Sequence, residues 1–300
     1  MARRRLEGLR ILVTGASQGI GKALVEAASR RGARVLAVAR NAGLLDELKQ
    51  RLAAEGHPIE VLPADVTSPE DRRRMVEAAE QRFGGLDVLI NNAGIGATGH
   101  FVEASPDRLR RIMEVNFFGL TETTRCFLPL LRRGVTPAIV NISSIAGLRG
   151  IPARSEYSAS KFAVEGFSEA LRAELAKWHI DVLVVAPGLT QTNFSENMIE
   201  RKALMQVDHM RGMTAEDVAA ATLSALERGK TRTVLTFQGK LLAFVSRFLP
   251  GLADRIAKRK VRSLFRDEIA ARKAQGASAS IDVGRPSATP SAASHSSSPT

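Results

Sequence analysis

Short apolar runs alternate with longer amphipathic segments through the first two thirds of this 300-residue chain. The short runs have the length of buried strands, and the longer ones repeat apolar residues at the spacing of a helix face. Because apolar strands separated by helices are typical of a parallel sheet covered on both faces, we predict a doubly wound α/β fold. The predicted strands are residues 10–14, 34–40, 59–63, 87–91, 138–143, 181–186 and 232–236. The predicted helices are residues 19–31, 44–55, 69–83, 106–131, 156–178 and 215–228.

The pattern changes after residue 238. Residues 240–249 are mostly apolar, and residues 252–273 mix apolar residues with cations in the manner of an amphipathic basic helix. Residues 276–300 are rich in Ser, Ala and Pro, carry almost no charge, and are expected to be disordered. We therefore divide the chain into a main domain (1–238), a basic helical extension (239–275) and a disordered tail (276–300).

The formal net charge of +12 is placed unevenly. Residues 1–10 hold four Arg and one Glu, and residues 240–275 hold ten Lys or Arg against three Asp or Glu. The body between them is nearly neutral, and the extension lacks Tyr and Trp for base stacking, so we predict no nucleic-acid partner. The extension could instead lie on a membrane surface, with its cations facing anionic lipid, or it could cover the main domain or complete an oligomer.

Other features of the composition indicate the cellular compartment of the protein and the kinds of site it lacks. The lone Cys126 excludes an intrachain disulfide and suggests a reducing compartment. No apolar run approaches the roughly 20 residues of a membrane span. We expect a cytoplasmic protein, which the extension could hold at the inner face of a membrane. The five histidines show no metal-ligand spacing, so we predict no metal.

A glycine-rich loop, residues 14–21, lies between the first predicted strand and the first predicted helix. Its glycines allow the backbone to approach a diphosphate closely, and the helix N-terminus behind them offers N–H groups and a positive dipole end. At this place in the chain the loop predicts a dinucleotide site. The residues assigned to it are Gly15, Ser17, Gly19, Ile20 and Gly21.

Further cofactor contacts are expected at the carboxyl ends of the next strands, where doubly wound folds bind ligands. The second strand ends at Ala39-Arg40, without the acid that would hold the ribose 2′-hydroxyl of NAD. Arg40 would attract a 2′-phosphate, which favours NADP(H) over NAD(H). The residues that follow the third and fourth strands and are assigned to the cofactor are Asp65, Val66, Asn91, Ala93 and Gly94.

The chain contains one tyrosine, Tyr157, and Lys161 follows it by one helical turn. An ammonium group beside a phenol favours the phenolate, so we expect Lys161 to lower the pKa of Tyr157. Such a phenol could donate or accept a proton near neutral pH.

These motifs together resemble the short-chain dehydrogenase/reductase family over residues 8–236. The matching features are the glycine loop, Asp65-Val66, Asn91-Asn92-Ala93-Gly94, Asn116, Ser144, Tyr157-Ser158-Ala159-Ser160-Lys161 and Pro187-Gly188. The resemblance implies a single Rossmann-type domain with a seven-stranded parallel sheet. It also implies an NAD(P)-dependent oxidoreductase that acts on a carbonyl or alcohol, and a homodimer or homotetramer joined through helices 106–131 and 156–178.

The resemblance also implies residue roles. Tyr157 would exchange the proton, and Ser144 would hold the substrate oxygen, with Ser143 the less favoured choice. Lys161 would bind the nicotinamide ribose, and Asn116 would anchor a water that links Lys161 to solvent. Cofactor contacts are expected from Pro187, Gly188, Thr190 and Thr192, of which Thr192 would bind the nicotinamide carboxamide and Thr190 is the alternative.

The substrate is expected to be lipophilic. The resemblance places a substrate lid at about residues 190–213, where Met198, Met205, Met210 and Met213 cluster. Methionine suits a surface that moulds around an irregular apolar ligand, although these residues could simply pack the lid onto the body. An alternative of another class is a dinucleotide-binding regulator or scaffold without turnover.

Overall fold

The computed structural model describes residues 3–192, 198–199 and 212–264. Its strands are β1 (Arg10–Thr14), β2 (Arg34–Ala39), β3 (Glu60–Pro63), β4 (Val88–Asn91), β5 (Ala138–Ile142), β6 (Asp181–Ala186), β7 (Thr190–Gln191), β8 (Met213–Thr214) and β9 (Arg232–Val234). Seven of them form one parallel sheet in the order β3-β2-β1-β4-β5-β6-β9. The predicted doubly wound α/β fold is confirmed.

Helices connect the strands and cover both faces of the sheet. They are α1 (Gly19–Ser29), α2 (Ala42–Ala54), α3 (Pro69–Phe83), α4 (Pro106–Met113), α5 (Gly119–Leu131), α6 (Ser155–Leu175), α7 (Ala215–Glu227), α8 (Phe237–Phe248) and α9 (Pro250–Leu264). One core cluster packs α1, α2 and α7 on one face, and a second packs α3, α5 and α6 on the other.

The sheet order places a crevice at the carboxyl end of β1. The chain runs outward from β1 through β2 to β3, and then returns to the other side of β1 as β4. Connections that leave neighbouring strands in opposite directions open a gap at that edge, where such folds bind ligands. The glycine loop after β1 and the segment after β4 therefore face each other.

Two local features differ from the sequence prediction. The predicted helix over 106–131 is interrupted by a π-helical turn at Glu114–Phe118. β7 and β8 form a separate parallel pair that no pattern predicted, because two-residue strands carry no periodicity.

The predicted C-terminal helical extension is present as α8 and α9. The predicted continuation of its basic helix to residue 273 and the predicted disorder of 276–300 lie outside the described residues, as does most of the predicted lid. In the described part of the chain, no helix is both long enough and apolar enough to cross a membrane.

Candidate active site

The glycine loop packs tightly against the segment after β4. A Cβ at Gly15, whose φ is +66°, would lie 2.8 Å from the Cα of Ala93, and a Cβ at Gly21 would overlap the Gly15 carbonyl oxygen. Side chains are thus excluded at both positions, and backbone forms the wall of the cavity here. Gln18 provides no side-chain cap to α1, so the first N–H groups of the helix can meet a phosphate. Of the assigned residues, Gly15, Ser17, Gly19 and Ile20 line the cavity, and Gly21 packs against the loop.

Arg40 follows β2 at the rim of the same cavity, with its side chain 71% exposed. Its guanidinium lies 3.9 Å from the Asp65 carboxylate, a separation at which solvent screens most of the attraction. Asp65 Oδ1 accepts hydrogen bonds from the N–H and the hydroxyl of Thr67 at 2.9 and 2.8 Å. Asp65 and Val66 both line the cavity. A cation at this rim can therefore reach an anionic group of a bound nucleotide.

The two asparagines after β4 have different surroundings. Asn91 donates to Thr124 Oγ1 and Asn141 Oδ1, both at 2.9 Å, within the buried layer between the sheet and α5. Asn92 donates to the carbonyl oxygens of Thr14 and Gly15 at 3.0 and 3.1 Å. The structure thus places the predicted Asn91 side chain away from the cavity wall. Asn92, which the sequence analysis did not assign, lines the cavity with Ala93 and Gly94 and fixes the glycine loop.

Ser144, Tyr157 and Lys161 meet on one wall of the cavity. Ser144 follows β5, and its Oγ accepts a hydrogen bond from Ala146 N–H at 3.2 Å at the start of a short 3₁₀ helix. Tyr157 lies in the first turn of α6, and its hydroxyl shares a hydrogen bond with Ser144. The Lys161 side chain is buried, with its Nζ donating to the Ile142 carbonyl at 2.9 Å and lying 5.8 Å from the Tyr157 ring centroid. The Ser144 and Tyr157 hydroxyls are thus adjacent on the cavity wall.

Asn116 lies behind this wall, in the π-helical turn. Its Oδ1 accepts from Ile95 N–H at 2.8 Å, and its Nδ2 donates to the Ile95 carbonyl at 2.9 Å and to Ser160 Oγ at 3.0 Å. A Cβ at Gly94 would lie 3.2 Å from Asn116 Oδ1 and 3.7 Å from Lys161 Nζ. Asn116 therefore links the segment after β4 to α6. The expectation that it anchors a water connected to Lys161 stays a prediction.

Burial dominates the electrostatics of the Tyr157 and Lys161 pair. Burial raises the pKa of the Tyr157 phenol above its ordinary value, while the hydrogen bond to Ser144 and the charge of Arg154 act in the opposite direction. Burial lowers the pKa of Lys161 to about 8, and the Glu165 carboxylate opposes that shift. The expectation that Lys161 lowers the pKa of Tyr157 is therefore wrong for this structure. The Lys161 ammonium is directed at the Ile142 carbonyl, and Arg154 is the cation that acts on the phenol.

The segment after β6 completes the cavity. Pro187 accepts a hydrogen bond at its carbonyl from Ile145 N–H at 2.9 Å, which joins this segment to the Ser144 turn. The Thr190 hydroxyl donates to the Gly188 carbonyl at 3.2 Å within the turn. Thr192 lies beside the glycine loop, since a Cβ at Gly19 would be 3.4 Å from it. The four predicted residues of this segment, Pro187, Gly188, Thr190 and Thr192, all line the cavity.

The cavity has a volume of about 1430 Å³ and extends from the glycine loop to the C-terminal helices. The extension contributes apolar side chains to the lining of the same cavity as Tyr157. These are Leu241, Leu242, Val245, Ala253, Ile256, Ala257 and Val261. Met198 and Met213 also line it, whereas Met205 and Met210 lie outside the described residues. The cavity thus joins the glycine loop to a region that is lined by apolar side chains.

Comparison with known proteins identifies the family. The family model "short chain dehydrogenase" matches residues 10–203. The chain belongs to the short-chain dehydrogenase family. It is 36% identical over 263 residues to "Dehydrogenase/reductase SDR family member 7B" of Bos taurus, covering 84% of this chain and 81% of the relative.

Two solved structures of short-chain dehydrogenases share the fold. One from Burkholderia cenocepacia J2315, in complex with NADP, superposes with a TM-score of 0.72 at 30% identity, over 84% of this chain and 98% of that one. Another from Burkholderia phymatum, in complex with NAD, gives a TM-score of 0.77 at 24% identity, over 83% of this chain and 96% of that one. The chain is thus an oxidoreductase of the short-chain dehydrogenase family, and the fold is that of NAD(P)-dependent enzymes.

Some residues of this site escaped the sequence analysis. Arg149 and Arg154 line the cavity on the Tyr157 side, and Glu165 lies one turn beyond Lys161 on α6. The spacing of Glu165 from Lys161 was visible in the sequence, but its burial was not. In the described residues, no group of three or more His, Cys, Asp or Glu side chains could hold a metal ion.

Proposed function

We propose that this short-chain dehydrogenase transfers a hydride between NADP(H) and a lipophilic ketone, aldehyde or secondary alcohol. The observation that supports this most strongly is the meeting of Ser144, Tyr157 and Lys161 on the wall of a cavity that also contains the glycine loop. The chemistry needs one group to exchange a proton and a second to orient the carbonyl oxygen. Tyr157 and Ser144 share a hydrogen bond and can do both.

The residues of the cavity fit a dinucleotide. The loop presents backbone to the cavity at Gly15 and Gly19, the N-terminus of α1 has no side-chain cap, and Arg40 stands at the rim. A bound nicotinamide cofactor supplies or accepts the hydride. We assign the diphosphate to the loop of Gly15, Ser17, Gly19, Ile20 and Gly21. We assign the adenosine end to Arg40, Asp65 and Val66 and the nicotinamide end to Lys161, Pro187, Gly188 and Thr192.

The chain's own residues then account for the proton. Ser144 holds the carbonyl oxygen, and Tyr157 donates its proton to that oxygen during reduction or accepts it during oxidation. Lys161 keeps its positive charge at neutral pH, because its lowered pKa of about 8 still lies above 7, and it can therefore donate to the nicotinamide ribose. Asn116 holds α6 against the segment after β4, so that these groups stay in register.

NADP(H) preference is the first test of this proposal. Arg40 offers a guanidinium to a 2′-phosphate, and Ala39 leaves no acid to repel it. We expect NADPH to be used with a kcat/KM at least about tenfold above that of NADH, and Arg40→Ser to remove most of that difference, since a guanidinium–phosphate contact is strong. Arg73→Ser, which removes an exposed arginine of α3, is the matched control.

Three outcomes would count against the proposal. Preference for NADH, or an equal loss with both cofactors in Arg40→Ser, would contradict the role of Arg40. Binding of NADPH without turnover of any carbonyl across a broad panel would favour the alternative of a non-catalytic dinucleotide-binding regulator.

The apolar end of the cavity supports a lipophilic substrate. Leu242, Val245 and Val261 of the extension face the same space as Tyr157. We expect kcat/KM to rise along a series of aldehydes from two to ten carbons, because each buried CH₂ contributes about 0.8 kcal/mol. Best turnover of the smallest polar aldehydes would contradict this substrate class.

We further propose a homodimer or homotetramer that uses the two long helical segments. Leu109 on α4, Phe118 in the π-helical turn and Phe162 on α6 are large apolar side chains that remain exposed in the single chain. Exposed apolar residues on neighbouring helices are typical of association surfaces. We also propose that the extension holds the protein peripherally at the inner face of a membrane.

A further inference from the structure

An arginine that forms no ion pair with any described residue stands in the cavity wall beside Tyr157. Arg154 is the residue before α6, lines the cavity and is partly buried, and its Nε is buried without a hydrogen-bond partner. Among the described residues none forms an ion pair with it. A desolvated guanidinium that lacks an anion is costly, so such a residue is expected to have a use.

The other arginine on this side of the cavity is compensated. Arg149 pairs with Asp254 of α9 at 2.6 Å. The acidic residues among those that line the cavity are Asp65 and Asp217, and both have other partners: Asp65 contacts Thr67, and Asp217 forms a capping box with Thr214. Among the described residues on the Tyr157 side of the cavity, two cations therefore lack an ion-pair partner: Lys161, which donates to the Ile142 carbonyl, and Arg154, whose Nε has no hydrogen-bond partner.

The backbone around Arg154 is held in an uncommon conformation. Ala153 adopts a φ of +59°, which is unfavourable for a residue with a Cβ, and its carbonyl accepts from Gly99 N–H at 3.0 Å. Arg154 N–H donates to the Ile151 carbonyl at 3.0 Å, and the Arg154 carbonyl accepts from Ser158 N–H at 2.8 Å. These bonds fix the arginine on the turn that enters α6, three residues before Tyr157.

We propose that Arg154 binds a carboxylate of the substrate, close to the carbonyl that Tyr157 protonates. The inference rests on the proposed function and narrows its substrate class to amphiphilic carbonyl compounds. Their apolar body lies against α8 and α9, and their acid group meets the guanidinium. One guanidinium balances the single charge of a carboxylate, and its paired N–H donors match the two carboxylate oxygens.

Matched pairs of aromatic aldehydes test this proposal. We would compare 3- and 4-carboxybenzaldehyde with their methyl esters, with NADPH, in the wild type, Arg154→Met, Arg154→Lys and the surface control Arg73→Met. The expected result is a wild-type kcat/KM ratio of acid to ester above one. That ratio should fall at least about tenfold in Arg154→Met, mainly through KM, recover in part in Arg154→Lys and stay unchanged in Arg73→Met.

A binding measurement separates this proposal from the proposed function. Calorimetry with 4-tert-butylbenzoate and the neutral 4-tert-butylbenzamide needs no turnover. Weaker binding of the benzoate alone in Arg154→Met, at least tenfold, would support the carboxylate site even if no aldehyde were reduced. An unchanged acid-to-ester ratio together with unchanged benzoate affinity in Arg154→Met would overturn the proposal. Equal losses for acid and ester would overturn it too, because they would show that Arg154 acts on Tyr157 alone.

Discussion

At the scale of single residues, the buried charge of Lys161 lowers the folding stability of the protein. Its side chain is buried, and that burial lowers its pKa to about 8 from an ordinary value of 10.5. Below pH 8 both the folded and the unfolded chain carry the proton, and burial of the charge costs about 3 kcal/mol. Between pH 8 and 10.5 only the unfolded chain keeps the proton, so the contribution to folding stability rises with pH.

Lys161→Met should therefore stabilise the protein while it abolishes activity. At pH 7 we expect the free energy of unfolding to rise by about 1–2 kcal/mol, since the relief of desolvation exceeds the lost hydrogen bond to Ile142. The advantage should shrink by about 2 kcal/mol at pH 9.5, where the wild-type lysine is neutral in the folded state. Urea unfolding at both pH values measures this. A variant that is less stable at pH 7, or whose advantage grows with pH, would contradict the account of Lys161.

The sequence allowed site residues to be assigned where their position follows from a helix or a strand. Tyr157 and Lys161 share a helix face because they are four apart, and Ser144 follows a strand. Asn91 was assigned to the cofactor and Asn92 was not, because the sequence does not reveal that the Asn91 amide bonds to Thr124 and Asn141 in the buried layer. Arg154 was missed because its orientation depends on the positive φ of Ala153, which no side-chain pattern reveals.

At the scale of elements, α6 is anchored to α4 by a buried ion pair. Arg108 donates from Nε and from a terminal nitrogen to Glu156 Oε1 at 2.9 and 2.6 Å. Burial alone would raise the pKa of Glu156, but its hydrogen bonds, chiefly with Arg108, hold the pKa below the ordinary value. Since Glu156 immediately precedes Tyr157, the pair fixes the turn that carries the phenol.

Removal of one partner of this ion pair should lower the free energy of unfolding more than removal of both partners. Arg108→Met leaves a buried carboxylate without its cation and should lower the free energy of unfolding by about 3–5 kcal/mol. The double variant Arg108→Met/Glu156→Met removes both charges and should recover at least half of that loss. Urea unfolding of the two single variants and the double variant measures the difference. A double variant as unstable as Arg108→Met would show that the pairing of the charges is not what stabilises α6.

The π-helical turn shows why element boundaries were harder to predict than element types. Residues 106–131 have a helical pattern throughout, yet the helix shifts register at Glu114–Phe118. The shift coincides with two tertiary contacts: the Asn116 amide binds the Ile95 backbone, and Gly119 packs against Val66, where a Cβ would come within 2.9 Å. Contacts of this kind between distant segments do not change the hydrophobic periodicity of the sequence, so the π-helical turn was not predicted.

At the scale of the whole molecule, the extension presents one face to the cavity and another to solvent. Phe237, Phe244 and Phe248 follow a helical spacing along α8 and are 58 to 80% exposed. These side chains are not covered by the described part of the single chain, and whether the extension completes an oligomer or lies on a membrane stays a prediction. Exposed cations accompany the stripe: Lys240, Arg247, Arg255, Lys258, Arg259 and Arg262. Aromatic residues beside cations are typical of helices that lie on anionic membranes.

Vesicle flotation tests the membrane contact of this stripe. Full-length protein should float with vesicles that contain anionic phosphatidylglycerol and float less with neutral vesicles. Phe237→Ser/Phe244→Ser/Phe248→Ser should remain at the bottom of the gradient, because it lacks the three exposed aromatic side chains that would enter the membrane interface. Val135→Ser, an exposed apolar position in the loop before β5, is the control. Equal flotation of the triple variant and the wild type would contradict the membrane hypothesis and favour a role of α8 in oligomer contacts.

The central claim is that Tyr157 supplies the proton while the cofactor supplies the hydride, and replacement of the phenol tests it most directly. Tyr157→Phe removes one oxygen atom and keeps the ring in the first turn of α6. We predict that kcat for the best aldehyde, followed by NADPH consumption, falls by about 10²–10⁴-fold, while the Kd for NADPH changes less than about threefold. Turnover by Tyr157→Phe within a factor of about three of the wild type would contradict the account.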